Sequence, residues 1–211
     1  MSTTQPTLFP IFLKLEGKPC LLVGGGPVAE GKLVGLLRSG ARVTVVSPEL
    51  TGALTGYAES NAIHWKQRNF EADDLDGVFL VVAATSSFEA NALIYRDADL
   101  RGILCNAVDQ PQQCHFYYPA VVDRGPLQIA ISTSGLSPSL AQRLRQELEV
   151  EFGSEYRVWV EWLGRVRSAL MSKGSDFETR QRILSRLASR EVFDRLKAAT
   201  ERNRGRTGVV A

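Results

Sequence analysis

With 211 residues the chain can bury a sizeable core, and 44% hydrophobic against 23% charged content fits a folded globular protein rather than a disordered one. No apolar run approaches the ~20 residues that cross a bilayer, so no membrane partner is expected. Net charge is +2, but residues 1–150 carry 12 basic and 15 acidic side chains, whereas residues 151–211 carry 13 and 8, with arginine making up 11 of the 13. Most of those arginines are expected on solvated helical faces. The alternative is that some meet a polyanionic ligand, since the guanidinium fork matches carboxylates. Nucleic acid is not expected as a partner, because acids interleave with the arginines and no basic-aromatic stripe occurs.

The start, Met1-Ser2-Thr3-Thr4-Gln5-Pro6-Thr7, has no basic-then-apolar signature of a secretory signal. The three cysteines, Cys20, Cys105 and Cys114, are far apart and odd in number. They read as reduced thiols of a cytoplasmic protein, and without a C-x-x-C pair no metal site is expected.

In chain order, Leu8 to Leu13 is apolar and reads as a short strand or an arm tucked against a sheet. Leu15-Glu16-Gly17-Lys18-Pro19 is a turn, and Cys20 to Val23 is a short, bounded aliphatic run, the pattern of a buried strand. Gly24-Gly25-Gly26-Pro27-Val28-Ala29 then fits the G-x-G-x-x-G/A turn of a strand-turn-helix that holds a dinucleotide. Gly24 is assigned the tight turn, Gly26 the close approach of a pyrophosphate, and Ala29 the helix–strand contact. The amides opening the helix would face the phosphates. The competing reading is a plain βα turn that holds nothing. Val28, Leu33, Leu36 and Leu37 recur at helical spacing, and Gly40 stops the helix.

Arg42 to Val46 is β-branched and predicts the second strand. An NAD-binding unit usually ends this strand in an acid that holds the ribose hydroxyls. Here it ends in Ser47-Pro48, with Glu49 as the available substitute, and no arginine follows to meet a 2′-phosphate, so NAD is preferred over NADP. A short helix is expected from Leu50 to Tyr57, a strand at Ile63 to Trp65, and one helical turn within Phe70 to Leu75. Val78 to Ala84 is the most apolar run and predicts a parallel strand buried on both faces. It ends at Thr85, which strand-end logic places beside the nicotinamide. A helix is expected from Phe88 to Leu100 and a strand from Ile103 to Val108.

Asn106 and Asp109 then fall at a strand's carboxyl end, where they either orient a substrate and accept a proton or cap the turn before Pro111. His115 and His64 have no neighbouring ligand pattern. The two β runs within Ala120 to Ser132, separated by Asp123-Arg124-Gly125-Pro126, predict antiparallel strands. Ser137 and Pro138 open a helix carrying Leu140, Leu144 and Leu148. From Phe152 the pattern is helical: Trp159, Trp162, Leu163, Val166 and Leu170 share a face, Ser175 to Glu178 reads as a capping box, Val192, Phe193 and Leu196 suggest a last helix, and the tail from Arg202 reads as frayed.

The ordered set Phe9 to Phe12, Gly24 to Lys32, Leu36 to Pro48, Ala83-Ala84-Thr85, Asn106 to Pro111, Phe116 to Pro119 and Ser132 to Pro138 resembles the amino-terminal module of siroheme synthases and the free-standing precorrin-2 dehydrogenases. The resemblance implies a Rossmann-like NAD-binding parallel sheet over residues 1–115, a strand-pair-plus-helix dimerisation region over 116–150, and a small all-helical domain over 151–211. It implies a cytoplasmic homodimer that oxidises precorrin-2 to sirohydrochlorin with NAD, on the way to sirohaem. Some members also insert ferrous iron. Asp109 matches the family's functional aspartate and becomes the candidate acid/base, with Asn106 as its positioning partner. The cofactor-binding set is Gly24, Gly26, Pro27, Val28, Ser47, Pro48, Glu49 and Thr85. The methyltransferase half of the fused enzymes is not expected, because the sequence stops at Ala211. The alternative is a Rossmann-type NAD-sensing module that regulates a partner without catalysis.

Overall fold

The computed structural model describes residues 7–207, with side chains through Ala198. Two units are resolved, one reaching Tyr118 and one beginning at Pro119. In the first, five parallel strands form one sheet: β1 (Pro19–Val23), β2 (Arg42–Val46), β3 (His64–Lys66), β4 (Leu80–Ala83) and β5 (Leu104–Ala107), in the order β3-β2-β1-β4-β5. Helices α1 (Pro27–Arg38), α2 (Gly52–Glu59) and α3 (Phe88–Leu100) supply crossovers. This is the doubly wound, Rossmann-like arrangement, whose order reverses between β1 and β4.

The aliphatic runs become central strands because both faces are covered. Every residue of β4 is buried, as are Cys20 to Val23 of β1. One face packs Leu22, Val45 and Val82 against Leu33 and Leu36 of α1 and Leu54 of α2, and the other packs Leu21, Val81 and Cys105 against Ile94 and Ala98 of α3. A fully buried valine such as Val81 or Val82 contributes roughly 1.5–3 kcal/mol relative to exposure. Helix ends follow local chemistry. Thr51 caps α2 by accepting from the Leu54 amide, Ser87 caps α3 by accepting from the Ala90 amide, and Gly40 leaves α1 at φ 75°. The apolar segment Leu8 to Leu13 is not a strand and is not tucked in. Phe9, Ile11 and Phe12 are exposed, and Leu15 is the first residue to join the core.

The second unit opens with the antiparallel pair β6 (Ala120–Arg124) and β7 (Leu127–Ile131), joined at Gly125-Pro126, and continues through α4 (Pro138–Glu151), α5 (Glu155–Ser172), α6 (Phe177–Leu187) and α7 (Arg190–Thr207). Arg124 ties the hairpin to the end of α4, donating from Nε to the Phe152 carbonyl at 2.6 Å and from Nη2 to the Glu149 carbonyl at 2.9 Å. Tyr156, Trp159 and Phe193 form an aromatic core with ring centroids 4.3 to 5.7 Å apart, so this tryptophan packs rather than faces a ligand. Two details depart from expectation. The cap of α6 is Asp176, which accepts from the Thr179 amide, instead of Ser175. The residues from Arg202 to Thr207 are helical, and the remainder of the expected frayed tail lies outside the described residues.

Candidate functional site

A cleft of about 960 Å³ runs along the carboxyl edge of the first unit's sheet. Its floor is the glycine turn between β1 and α1. Gly24 has φ 119°, and a Cβ there would stand 2.3 Å from the Ala84 carbonyl oxygen, so only glycine lets β1 and the end of β4 approach this closely. Gly25 is just as constrained: a Cβ would overlap the Glu49 carbonyl oxygen and sit 2.7 Å from Ser47 Oγ. In the G-x-G-x-x-G pattern this position is an unspecified x, so sequence reasoning missed it. Its need for glycine comes from the β2 loop folding over the turn, where the Thr51 amide donates to the Gly25 carbonyl at 2.9 Å. Gly26 is different, because a Cβ would meet nothing within 4 Å.

Gly26 is the N-cap of α1, and no side chain caps the helix. Pro27 has no amide, and Glu30 makes the first helical bond by donating to the Gly26 carbonyl, which leaves the amides of Val28 and Ala29 ahead of that ladder. Open space, uncapped amides and the positive end of the helix dipole fit a pyrophosphate. Val28, apolar in the helical pattern, is half exposed on the cleft wall instead of in the core.

At the β2 end the cleft is lined by Ser47, Pro48 and Glu49. Ser47 is buried and donates from Oγ to the Glu49 carbonyl at 2.7 Å, and Trp65 Nε1 donates to the Ser47 carbonyl at 2.9 Å. The Glu49 side chain is left exposed at the cleft. An arginine does stand at this end: Arg68, in the turn after β3, lines the same wall with Asn69 and Phe70. The sequence hid it because it is 21 residues beyond Ser47, on a different strand.

At the β4 end, Thr85 also lines the cleft, but its hydroxyl is committed internally. It donates to Asn91 Oδ1 at 2.7 Å and accepts from the Ser87 amide at 3.2 Å, while Asn91 Nδ2 returns a bond to the Thr85 carbonyl. Asn91, buried on α3, is a third residue that sequence reasoning missed. The available signal was an amide on a helical face otherwise made of Ile94 and Ala98.

Beyond β5 the structure separates the two expected acid/base partners. Asp109 lines the cleft, exposed, at φ 60°, a left-handed conformation that aspartate tolerates better than most residues. Asn106 is not among the lining residues. It is buried, donating from Nδ2 to the Phe116 carbonyl at 2.8 Å and to Cys114 Sγ at 3.3 Å. It neither reaches the cleft nor caps the turn before Pro111; it clamps the segment that returns along the edge of β5. His115 belongs to the same clamp. Its Nδ1 accepts from the Cys105 amide at 3.0 Å, so Nε2 carries the proton shared with Asp99 Oδ1 at 3.0 Å. Both ring nitrogens are committed, and His115 is no candidate for moving a substrate proton.

Gln110, buried beside Asp109, donates to the Phe88 carbonyl at 3.2 Å and leaves its Oε1 unpartnered. Lys32 of α1 lies 3.9 Å above the Tyr118 ring. Burial pushes its ammonium down, against the upward pull of the charges on Asp109 and Cys114. Burial likewise pushes the Cys20 thiol up to about 11 and the Cys105 thiol up to about 12. Among the described residues no group of His, Cys, Asp and Glu could hold a metal ion, and no helix is long and apolar enough to cross a membrane.

Residues 11–120 match the family described as putative NAD(P)-binding, and residues 124–151 match the one described as sirohaem biosynthesis protein central. The chain is 42% identical over 193 residues to siroheme synthase 1 of Aeromonas salmonicida (strain A449), covering 92% of this chain and 41% of that protein. It is 41% identical over 169 residues to siroheme synthase 1 of Serratia proteamaculans (strain 568), covering 78% of this chain and 36% of that one. The chain therefore spans about two fifths of the length of these relatives. The solved structure of SirC, a precorrin-2 dehydrogenase, superposes with a TM-score of 0.76 at 25% identity, covering 88% of this chain and 92% of that one.

Proposed function

The chain belongs to the putative NAD(P)-binding family, and on that premise we propose that it oxidises precorrin-2 to sirohydrochlorin with NAD, as a cytoplasmic step of sirohaem biosynthesis. The observation that carries the reading is a single cleft with an uncapped glycine turn at its centre and an exposed carboxylate, Asp109, at its β5 end. Likeness to a precorrin-2 dehydrogenase over nearly all of that protein's length supports the choice of substrate.

NAD, when bound, supplies the hydride acceptor. Gly26 and the amides of Val28 and Ala29 hold its pyrophosphate, Glu49 the ribose, and the Thr85 backbone borders the nicotinamide end. Asp109 accepts the proton that leaves as the macrocycle is oxidised, because it is the exposed carboxylate at that end of the cleft. Asn106 acts through the loop: by holding the return segment against β5 it fixes the turn that presents Asp109. If the same site also inserts ferrous iron, Asp109 is again the group that takes the pyrrole protons, since His115 is committed to Cys105 and Asp99.

The same reading makes residues 1–115 the NAD domain, 116–150 the dimerisation region of a homodimer, and 151–211 a helical domain whose arginines meet substrate carboxylates. Several of those arginines already face acids one turn away, as in Arg190–Asp194 and Arg195–Glu191.

The test is to add precorrin-2 and NAD and follow NADH and sirohydrochlorin absorbance. Turnover is expected in the wild type. Asp109→Ala is expected to lose at least about a hundredfold in kcat, the usual scale for a general acid or base, with NAD affinity kept. NAD binding without turnover by the wild type would leave a nucleotide sensor and sink the enzyme reading.

A further inference from the structure

Arg68 stands at the adenosine end of the cleft, and its surroundings decide what it can do there. The sheet order places β3 and β2 on one side of the glycine turn and β4 and β5 on the other. With the pyrophosphate at Gly26 and Asp109 beyond β5, the adenosine half lies over the β2 and β3 ends, where Arg68, Asn69 and Phe70 line the wall.

The guanidinium there is already engaged along its terminal edge, the one that carries both Nη atoms. Nη1 donates to Asp74 Oδ2 at 2.7 Å and to the Asn69 carbonyl at 2.9 Å. Nη2 donates to Asp74 Oδ1 at 2.7 Å and lies 3.6 Å from Glu71 Oε2. Asp74 is a rigid anchor, its side chain fully buried. It also takes Lys66 Nζ at 2.7 Å and the Glu71 amide at 3.0 Å. Two cations, Lys66 and Arg68, thus face two carboxylates, Asp74 and Glu71, and Glu49 adds a further negative charge along the same wall.

Asp74 takes the end-on fork, and two cations facing at least two carboxylates leave the corner no surplus positive charge for a second anion. A guanidinium has flat faces as well as edges, and the Arg68 side chain is still 37% exposed. We propose that Arg68, pinned edge-on by Asp74, is the platform on which the adenine of the dinucleotide stacks, and that this charge-balanced corner selects NAD over NADP. The proposal rests on the reading of the cleft as a dinucleotide site and names the contact that reads the base. Held by three hydrogen bonds, the plane needs little ordering on binding, which favours stacking over a freely rotating side chain.

The test is calorimetric affinity for NAD, NADP and nicotinamide mononucleotide in wild type, Arg68→Lys and Arg68→Ala. Lysine keeps the charge and the pair with Asp74 but has no plane, so it covers the case in which alanine fails to fold. Both substitutions are expected to weaken NAD about tenfold and leave nicotinamide mononucleotide unchanged, because that ligand has no adenine. The wild type is expected to bind NAD more tightly than NADP. Retention of NAD affinity in Arg68→Lys would overturn stacking in favour of charge, and a larger loss for NADP than for NAD in either variant would overturn it in favour of a 2′-phosphate site. A wild type that binds no NAD sinks this proposal together with the dinucleotide site. A wild type that binds NAD but does not oxidise precorrin-2 sinks only the function.

Discussion

The three glycines of the turn between β1 and α1 should respond to alanine in different ways, and Gly24 and Gly26 make the sharpest pair. At Gly24 an alanine must hold φ 119° and place a methyl 2.3 Å from the Ala84 carbonyl oxygen. The backbone conformation alone costs about 1–3 kcal/mol, and β1 or the end of β4 must also shift, so about 3 kcal/mol in total is expected. For a chain of this size each kcal/mol lowers Tm by roughly 2–4 °C, which puts Gly24→Ala about 6–12 °C below wild type. At Gly26 the backbone, φ −90° and ψ −176°, suits any residue, and the added methyl meets no protein atom within 4 Å. Only the weaker N-cap preference of alanine remains, about 0.5–1 kcal/mol, so Tm should fall by less than about 4 °C. The Gly26 methyl occupies the space assigned to the pyrophosphate. Displacing one charge-assisted amide bond, worth about 1.5–3 kcal/mol, should raise the Kd for NAD by roughly 10- to 100-fold. Thermal melts and titration calorimetry on both variants read the two effects separately. An unchanged Kd for NAD in Gly26→Ala would refute the placement of the pyrophosphate, and a Tm within 2 °C of wild type in Gly24→Ala would refute the account of the β1–β4 approach.

Glu49→Ala should weaken NAD by about three- to tenfold, since among the described residues it is the one acid that lines the β2 end of the cleft; an unchanged dissociation constant removes it from the ribose contact. Burial by itself would raise the Asp74 carboxyl, but hydrogen bonds from Arg68 and Lys66 outweigh it and hold the group below the usual carboxylate range. A depressed folded-state value means this stabilisation is present above the unfolded value near 3.9 and is lost as pH falls below it. Denaturation followed from pH 6 to pH 2 should therefore show a steeper loss below about pH 4 in wild type than in Asp74→Asn, and parallel curves would refute the assignment. With their thiols pushed up to about 11 and about 12 and almost no exposed surface, Cys20 and Cys105 should resist iodoacetamide at pH 8 until the chain unfolds. Mass spectrometry showing either one labelled in the folded protein would contradict their burial.

The amino-acid sequence by itself determined the elements. Aliphatic runs such as Leu80 to Ala83, the capping residues Thr51, Ser87 and Ser137, and Gly40 after α1 act within a few residues of where they stand, so a linear pattern carries their consequences. It also singled out Gly24, Gly26 and Asp109, because a turn and a strand end are local features. Tertiary structure alone decided which residues share the cleft. Gly25 must be glycine because Glu49 folds over it. Arg68 reaches the wall because β3 pairs beside β2, and Asn106 turns inward because Phe116 returns along the edge of β5. Those outcomes depend on strand order and on contacts between residues far apart in the chain. Strands buried on both faces carry little in their own apolar pattern to say which neighbour each will take.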